Sequence, residues 1–460
     1  MFTLTINGFR GFKDSNISLS KLNVLIGENS GGKSSLIKLL LLLKQSMEVA
    51  NKDKKINTNG HILDLGNFDN FIYPELIEKS FSITFEIDSE EYLNYFCDFI
   101  NFEKLKLSKF IEKCNNFIKD SIKITFVFNK KDNEFITSNI KIYSKNIGTL
   151  TFKIYQNKNT EKIPFSTLQE IPAKIIINHI KHGQIKIDNK LTPFGIMLLA
   201  GNSSDIVACE KNNNYDNLFN ELAFLLITQN YISQILTHIH YINPIKFQSE
   251  RISLKRDSSL IGKITDFNSL VTTLAFLVES RDKKNIEILK MFQSAIKEIG
   301  IAEEIRIETN EKIPVSELKV KIAGLWNSIV DVGYGVGLQI PILLQAIICN
   351  LSENNETLII EQPEIHLHPA LHAKFIEVLI KYAGNTNLII ETHSEHLIRK
   401  LQVLAKNEKI SIEKIKINYF KNKIGIFEIS NHKIVKSGHL EPIFPKGFYD
   451  NSYTLSKELY

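Results

Sequence analysis

The sequence predicts an α/β fold organised round a nucleotide loop, with a mixed α/β lobe inserted into it. Three observations carry that prediction. Gly27-Glu28-Asn29-Ser30-Gly31-Gly32-Lys33-Ser34 fits G-x-x-x-x-G-K-[ST], the P-loop pattern. Two apolar strand-like runs ending in polar and acidic residues lie far downstream, at Thr357-Leu358-Ile359-Ile360-Glu361 and Leu388-Ile389-Ile390-Glu391. Between them, from about 50 to 240, the texture changes to short runs that alternate apolar and polar residues.

Residues 1–26 alternate and then reach the loop, so they predict an N-terminal hairpin feeding a nucleotide strand. Phe9-Arg10-Gly11-Phe12-Lys13 offers either an aromatic or a cation for the adenine, or plain strand packing. Before the loop, Leu22-Asn23-Val24-Leu25-Ile26 reads as a buried strand; after it, residues 35–44 are apolar on nearly every side, as in a core helix. In that context the loop's N–H groups and the helix N-terminus suit phosphates. Gly27, Glu28, Asn29, Ser30, Gly31, Gly32, Lys33, Ser34 and the adjoining Ser35 are therefore the predicted ATP-binding residues. Lys33 is expected at the β- and γ-phosphates and the Ser34 hydroxyl on Mg²⁺.

The bulk composition fits this reading. The chain has 460 residues, 43% hydrophobic and 23% charged, enough for two or three domains. Cys97, Cys114, Cys209 and Cys349 are scattered, which predicts a reduced cytoplasmic protein without a disulfide framework or zinc ribbon. The N-terminus reads as a strand, not a signal peptide. The aliphatic run at 39–43, flanked by Lys38 and Lys44, is too short for a membrane span. A net charge of +5 permits nucleic-acid binding without arguing for it.

Four regions are expected: 1–50 and 241–410 as the two parts of the ATPase head, 51–240 as the inserted lobe, and 411–460 as a strand pair and tail. In the lobe, 81–87, 122–128, 136–143, 150–155 and 175–177 read as strands, and 89–119 and 217–239 as helices. No heptad is sustained, so no long coiled coil is expected. Tyr241-Ile242-Asn243-Pro244 reads as a strand ending at proline, leading to a charged loop with Lys246, Arg251, Lys255 and Arg256. That loop is either a basic patch for nucleic acid or a solvated turn. Residues 265–300 read as helix and 313–323 as a strand or hairpin.

Thr357-Leu358-Ile359-Ile360-Glu361-Gln362-Pro363-Glu364 delivers two carboxylates at the end of a buried strand, the Walker B arrangement. Glu361 is assigned to Mg²⁺ and Glu364 to the catalytic base that polarises the attacking water. His366-Leu367-His368 suggests a metal pair, but no third ligand stands nearby, and a dimer-interface loop is the preferred reading. His393, after the second strand, is placed to hydrogen-bond the γ-phosphate. Glu391-Thr392-His393-Ser394-Glu395-His396 does not fit H-E-x-x-H, so a metalloprotease is excluded.

Together the P-loop at 27–34, the EQPEIHLHP run at 361–369 and ETHS at 391–394 resemble ABC-type ATPase heads of the SMC and OLD group. The chain is more closely similar to the AAA-annotated, OLD-like ATPases of bacterial antiphage defence, such as those of Septu and PARIS. The resemblance implies an ABC/SMC-type P-loop ATPase head and a head-to-head homodimer or higher homo-oligomer sandwiching ATP. It also implies a separate effector protein, a nuclease or other toxin, and a trigger of DNA or another phage-derived cue. It further implies a signature loop of the form DVGxGxSQ that meets the partner's γ-phosphate. The matching run is Asp331-Val332-Gly333-Tyr334-Gly335-Val336-Gly337-Leu338-Gln339, which assigns Gly335 and Gly337 to nucleotide binding. Glycine stands at the serine position and leucine at the glutamine position. Slow hydrolysis is expected, with Gly337→Ser raising it. No Q-loop glutamine is identified; Gln45 lies at the far end of the P-loop helix.

The expected function is an ATP-binding and hydrolysing dimeric switch that controls an effector. An SMC-like DNA-repair or DNA-maintenance ATPase is the alternative, with the missing coiled coil against it. An OLD-type nuclease fits less well: the 67 residues after His393 hold one aspartate, Asp450, where a Toprim domain needs a glutamate and an aspartate pair. A transporter subunit lacks its LSGGQ-like signature.

Overall fold

The computed structural model describes residues 2–48, 56–66, 71–73, 80–93, 95, 121–131, 134–144, 148–154, 175–179, 183–187, 231–243, 247, 249–254, 262–309, 315–445 and 457–458. In chain order the strands and helices begin with β1 (Phe2–Asn7), β2 (Ser15–Ser18), β3 (Leu22–Gly27) and α1 (Lys33–Glu48). Six strands follow: β4 (Ser80–Ile87), β5 (Ile122–Lys131), β6 (Glu134–Ser144), β7 (Gly148–Ile154), β8 (Ile175–His179) and β9 (Gly183–Ile187). Next come β10 (Ile239–Ile242), β11 (Ser253–Leu254), α2 (Phe267–Glu279), α3 (Lys283–Ile299), β12 (Glu304–Thr309), β13 (Val315–Ile322), β14 (Leu325–Ser328) and α4 (Tyr334–Asn350). The last are β15 (Thr357–Glu361), α5 (Pro369–Ala383), β16 (Asn387–Glu391), α6 (Glu395–Lys406), β17 (Ile415–Lys423), β18 (Ile426–Ile434) and β19 (Leu440–Glu441).

The chain divides into two units. One comprises 1–19, 34–237 and 422–429; the other comprises 20–33, 238–421 and 430–460. The first holds an antiparallel sheet ordered β2-β1-β4-β5-β6-β7-β8-β9. β4 alternates buried and half-buried residues along its length, as a strand with one face on a core does. That core is aromatic: Phe9 packs on Phe71 and Phe81, and Phe81 stacks on Phe128 with centroids 4.8 Å apart. Phe9 and Phe12 are fully buried, so the aromatics of the 9–13 run pack the sheet and do not face a base. Gln45, also fully buried, pins the 57–63 loop by donating to the carbonyls of Asn57 and Leu63 and accepting from the amides of Ile62 and Leu63. Burying an amide requires such full satisfaction, and it accounts for Gln45 as a structural residue.

The second unit holds a sheet ordered β10-β15-β16-β3-β17-β18-β19, in which β10, β15, β16, β3 and β17 run parallel. All of β3 and the first four residues of β15 are buried, as expected of a parallel sheet covered on both faces. Register sets Glu361 beside Glu391, Glu391 beside Leu25, and Phe420 beside Gly27. The polar ends of four strands thus collect at one carboxyl edge, where doubly wound sheets bind ligands.

The structure departs from the sequence reading in several places. Residues 265–300 form two helices, not one: α2 ends at Ser280 and α3 starts after Asp282, whose carboxylate accepts from the Lys284 and Asn285 amides. The helix expected over 217–239 ends by Thr237, before β10; its part at 217–230, most of 89–119, and Lys246, Lys255 and Arg256 lie outside the described residues. Arg251 is described, and its guanidinium is engaged with both oxygens of Asp331 at 2.7 and 3.1 Å. β9 and β12 are strands that the sequence reading did not name. The longest described helices have 17 residues, and none of the described helices is long and apolar enough to cross a membrane.

Candidate functional site

The P-loop leaves β3 at Gly27 with φ +131° and passes Ser30 at +60° and Gly32 at +108°. Such a path turns successive N–H groups inward, as an anion cradle requires. β17 fixes its outer wall: the Phe420 carbonyl accepts from the Glu28 amide at 3.0 Å. A Cβ at Gly27 would fall 2.0 Å from that carbonyl oxygen, so position 27 admits only glycine. Glu28, Asn29 and Ser30 are exposed at the rim, whereas Gly31, Gly32 and Lys33 are buried. The Lys33 ammonium donates to the carbonyls of Gly27 at 3.1 Å and Glu28 at 2.9 Å. Burial lowers its pKa, partly offset by the charges of Glu391 and Glu28. Ser34 and Ser35 open α1, and the Ser35 hydroxyl accepts from the Arg10 guanidinium at 3.3 Å. That bond sets the cation of the 9–13 run at the first turn of the P-loop helix, and burial lowers the Arg10 pKa.

β15 delivers Glu361 at the carboxyl edge. Its Oε1 accepts from the Tyr241 hydroxyl on neighbouring β10 at 2.9 Å. The chain then turns sharply: Gln362 and His366 both take positive φ, +46° and +62°. Such conformations cost about 1–3 kcal/mol each and persist where surrounding structure enforces them. Here the Gln362 amide donates to the Glu391 carbonyl, and those of Ile365 and Leu367 donate to Gln362 and Glu364 carbonyls. The turn aims Glu364 at the end of β16, where its Oε1 accepts from the His393 amide at 2.7 Å. Its Oε2 is buried with no hydrogen-bond partner among the described residues. His393 is exposed at the site's edge; partial burial and the nearby Lys33 charge lower its pKa, which favours the neutral imidazole.

His366 and His368 do not act as a pair. His366 stacks edge-on against Tyr334, while His368 caps α5 by accepting from the Ala370 amide. Among the described residues no three His, Cys, Asp or Glu side chains converge on a metal position. Mg²⁺ needs no such triad, since it is held by one or two protein oxygens together with phosphate and water. Glu361 offers a hard oxygen donor of that kind, and Glu364 Oε2, without a partner among the described residues, an acceptor for a water.

The signature-like run is a helix start, not an open loop. Gly333 is the N-cap of α4 and carries no side-chain cap. Gly335 and Gly337 are buried within the chain: a Cβ would stand 2.5 Å from the His366 carbonyl oxygen at Gly335 and 2.5 Å from the Ser249 hydroxyl at Gly337. A side chain at Gly337 would need the Ser249 hydroxyl to turn aside, which weighs against the expected benefit of Gly337→Ser. Gly333 and Tyr334, in contrast, are exposed.

Sequence reasoning missed four residues of this cluster. Tyr241 and Asn243 approach Glu361 from a strand 120 and 118 positions away in sequence. Glu391, buried beside Lys33, is the third strand-end acid. Gln339 is fully buried and donates to the Pro363 carbonyl at 2.6 Å, which ties α4 to the Glu364 turn. A lone glutamine inside an apolar helix was the available signal for Gln339.

The pattern of the AAA ATPase domain family matches residues 1–398. No match is found among curated proteins. Among solved structures, the chain is similar to the Smc head bound to the C-winged-helix domain of ScpA, at 11% identity over 94% of this chain and 98% of that chain, with a TM-score of 0.42. It is similar to the Pyrococcus furiosus Smc head domain with an extended coiled coil bound to the C-terminal domain of ScpA, at 10% identity over 99% and 98% of the two chains, with a TM-score of 0.42. It is also similar to the SMC head domain from Thermotoga maritima, at 8% identity over 93% and 97%, with a TM-score of 0.34. The family match spans the residues 27–34, Glu361, Glu364 and His393, and the chain belongs to the AAA ATPase domain family.

Proposed function

We propose that this chain is an ATP-hydrolysing switch of the ABC/SMC type that works as a head-to-head homodimer and controls a separate effector in antiphage defence. The observation that carries the hydrolytic part is Glu364. One carboxylate oxygen is fixed by the His393 amide, and the other is buried without a partner among the described residues. A buried acceptor left open costs free energy, and an attacking water would satisfy it. Glu364 would take that water's proton, the role of a general base. Lys33, now folded onto loop carbonyls, would turn to the β- and γ-phosphates. Neutral His393 would donate one hydrogen bond to the γ-phosphate. Mg²⁺, when bound at Ser34 and Glu361, neutralises charge on the β- and γ-phosphate oxygens. The uncapped N-terminus of α4, with exposed Gly333 and Tyr334, is suited to meet the partner's phosphate.

The test is steady-state ATP hydrolysis and sedimentation velocity, each with and without ATP, for wild type and Glu364→Gln. We expect turnover in the wild type and a loss of about 10²–10⁴-fold in the variant. We also expect the variant to bind ATP and accumulate as a dimer. Equal turnover in both proteins would remove Glu364 as the base. A protein that stays monomeric with and without ATP would remove the sandwich.

A further inference from the structure

Two polar side chains, one on β10 and one just after it, reach Glu361 and take no part in the P-loop chemistry described above. The Tyr241 hydroxyl donates to Glu361 Oε1 at 2.9 Å. Asn243 Nδ2 donates to the Tyr241 oxygen at 3.0 Å and lies 3.4 Å from Glu361 Oε2. The pairing is built into the sheet, because β10 and β15 run parallel with Ile242 beside Ile360. Asn243, just past the end of β10, and Glu361, the last residue of β15, therefore meet at the same edge.

The direction of these bonds follows from the donor inventory. A phenol has one proton, and the geometry places it on the carboxylate; its lone pair then accepts from the amide. Both groups act on Glu361 as donors. One donor on each carboxylate oxygen fixes the rotation of the group, the arrangement that supports ligand groups in metal sites.

We propose that Tyr241 and Asn243 are positioning residues for the divalent cation: they hold the Glu361 carboxylate in the orientation that binds Mg²⁺ and its water shell. The proposal rests on the reading of Glu361 as the Mg²⁺ acid. Outer partners of this kind typically change metal affinity by about 10–100-fold when removed.

The experiment is calorimetric ATP binding to the full chain, in EDTA and across a Mg²⁺ titration, for wild type, Tyr241→Phe, Asn243→Ala and Glu361→Gln. Thermal melting of each protein runs alongside. Tyr241→Phe keeps the ring and removes only the hydroxyl. We expect it to raise the Mg²⁺ concentration at half-saturation about tenfold and leave ATP affinity in EDTA unchanged. Asn243→Ala should shift the same quantity in the same direction by less, and it decides the matter if Tyr241→Phe fails to fold. Unchanged Mg²⁺ dependence, or an equal loss of affinity in EDTA, would overturn the positioning role. If Glu361→Gln also leaves the Mg²⁺ dependence intact, the assignment of Glu361 falls instead; if only Glu361→Gln abolishes it, the assignment stands and the positioning role alone is lost.

Discussion

Two glycine-rich runs in this chain look alike in sequence and behave differently in space. The run at 27–34 uses its glycines for conformation: Gly27 and Gly32 take positive φ, and the loop curls so that amides face inward. The run at 331–339 uses its glycines for proximity. Gly333 has an ordinary φ of −54°, and α4 begins at the next residue. Gly335 is required because the His366 backbone carbonyl presses on it, while at Gly337 the near atom is the Ser249 hydroxyl, which can turn aside. Only the first run also brings a buried cation, Lys33, at its end. The lesson is that spacing of glycines marks close backbone approach, while the identity of what approaches, phosphate or protein, is set by neighbours far away in sequence.

The largest expected effect tests the first run. Lys33→Ala removes the cation and, with it, hydrogen bonds to charged phosphate worth about 1.5–3 kcal/mol each. ATP affinity measured by calorimetry should fall by roughly tenfold to a hundredfold or more. Melting of the nucleotide-free protein should change less than ATP affinity does, because the lysine's present partners are two neutral loop carbonyls. Undiminished ATP affinity would show that the 27–34 run is not the phosphate cradle.

Next in size is a pair of substitutions within the second run. A methyl at Gly335 meets a backbone oxygen at 2.5 Å, which cannot swing aside, and the turn carrying Glu364 must shift. Overpacking of this kind costs about 1–3 kcal/mol. Gly333, two residues earlier, has nothing within 4 Å of the same added atom. Gly333→Ala should stay within about 0.5 kcal/mol of wild type. Chemical denaturation of both variants checks the contrast. Equal stabilities would mean that Gly335 is not held by proximity.

How much of this was legible in the sequence follows the range of each interaction. The P-loop, its flanking strand and helix, and the acids of β15 are local patterns, and the fold places them as those patterns indicate. β12 was legible too, since Glu304-Ile305-Arg306-Ile307-Glu308-Thr309 alternates charged and apolar residues. The break between α2 and α3 carried a cap signal at Asp282. The clamp on Glu361 carried none. Tyr241 reads as one more aromatic on a short strand until β10 pairs with β15, and no local rule announces a partner 120 residues away. The same holds for Gly337, whose neighbour Ser249 lies in a loop with no pattern of its own.

The smallest expected effect lies at that last contact. From sequence alone, Gly337→Ser restores a hydroxyl and raises turnover. In the fold, the new Cβ would stand 2.5 Å from Ser249 Oγ and 3.8 Å from Ser249 Cβ. The first distance is impossible without movement; the second is ordinary contact. Serine favours a helix interior over glycine by roughly 0.5 kcal/mol, which offsets part of the displacement of Ser249. We therefore expect Gly337→Ser alone to lose no more than about 1 kcal/mol of stability and to gain no ATPase activity. Ser249→Ala removes the clashing oxygen and keeps the tolerated Cβ. The double variant should regain wild-type stability, with one hydroxyl in this space as before, now carried by α4. Denaturation midpoints and ATPase rates of the two singles and the double form a complete cycle. Additive effects would show that the two positions do not share this space. A single Gly337→Ser that speeds hydrolysis would return the run at 331–339 to the phosphate-facing role its glycines first suggested.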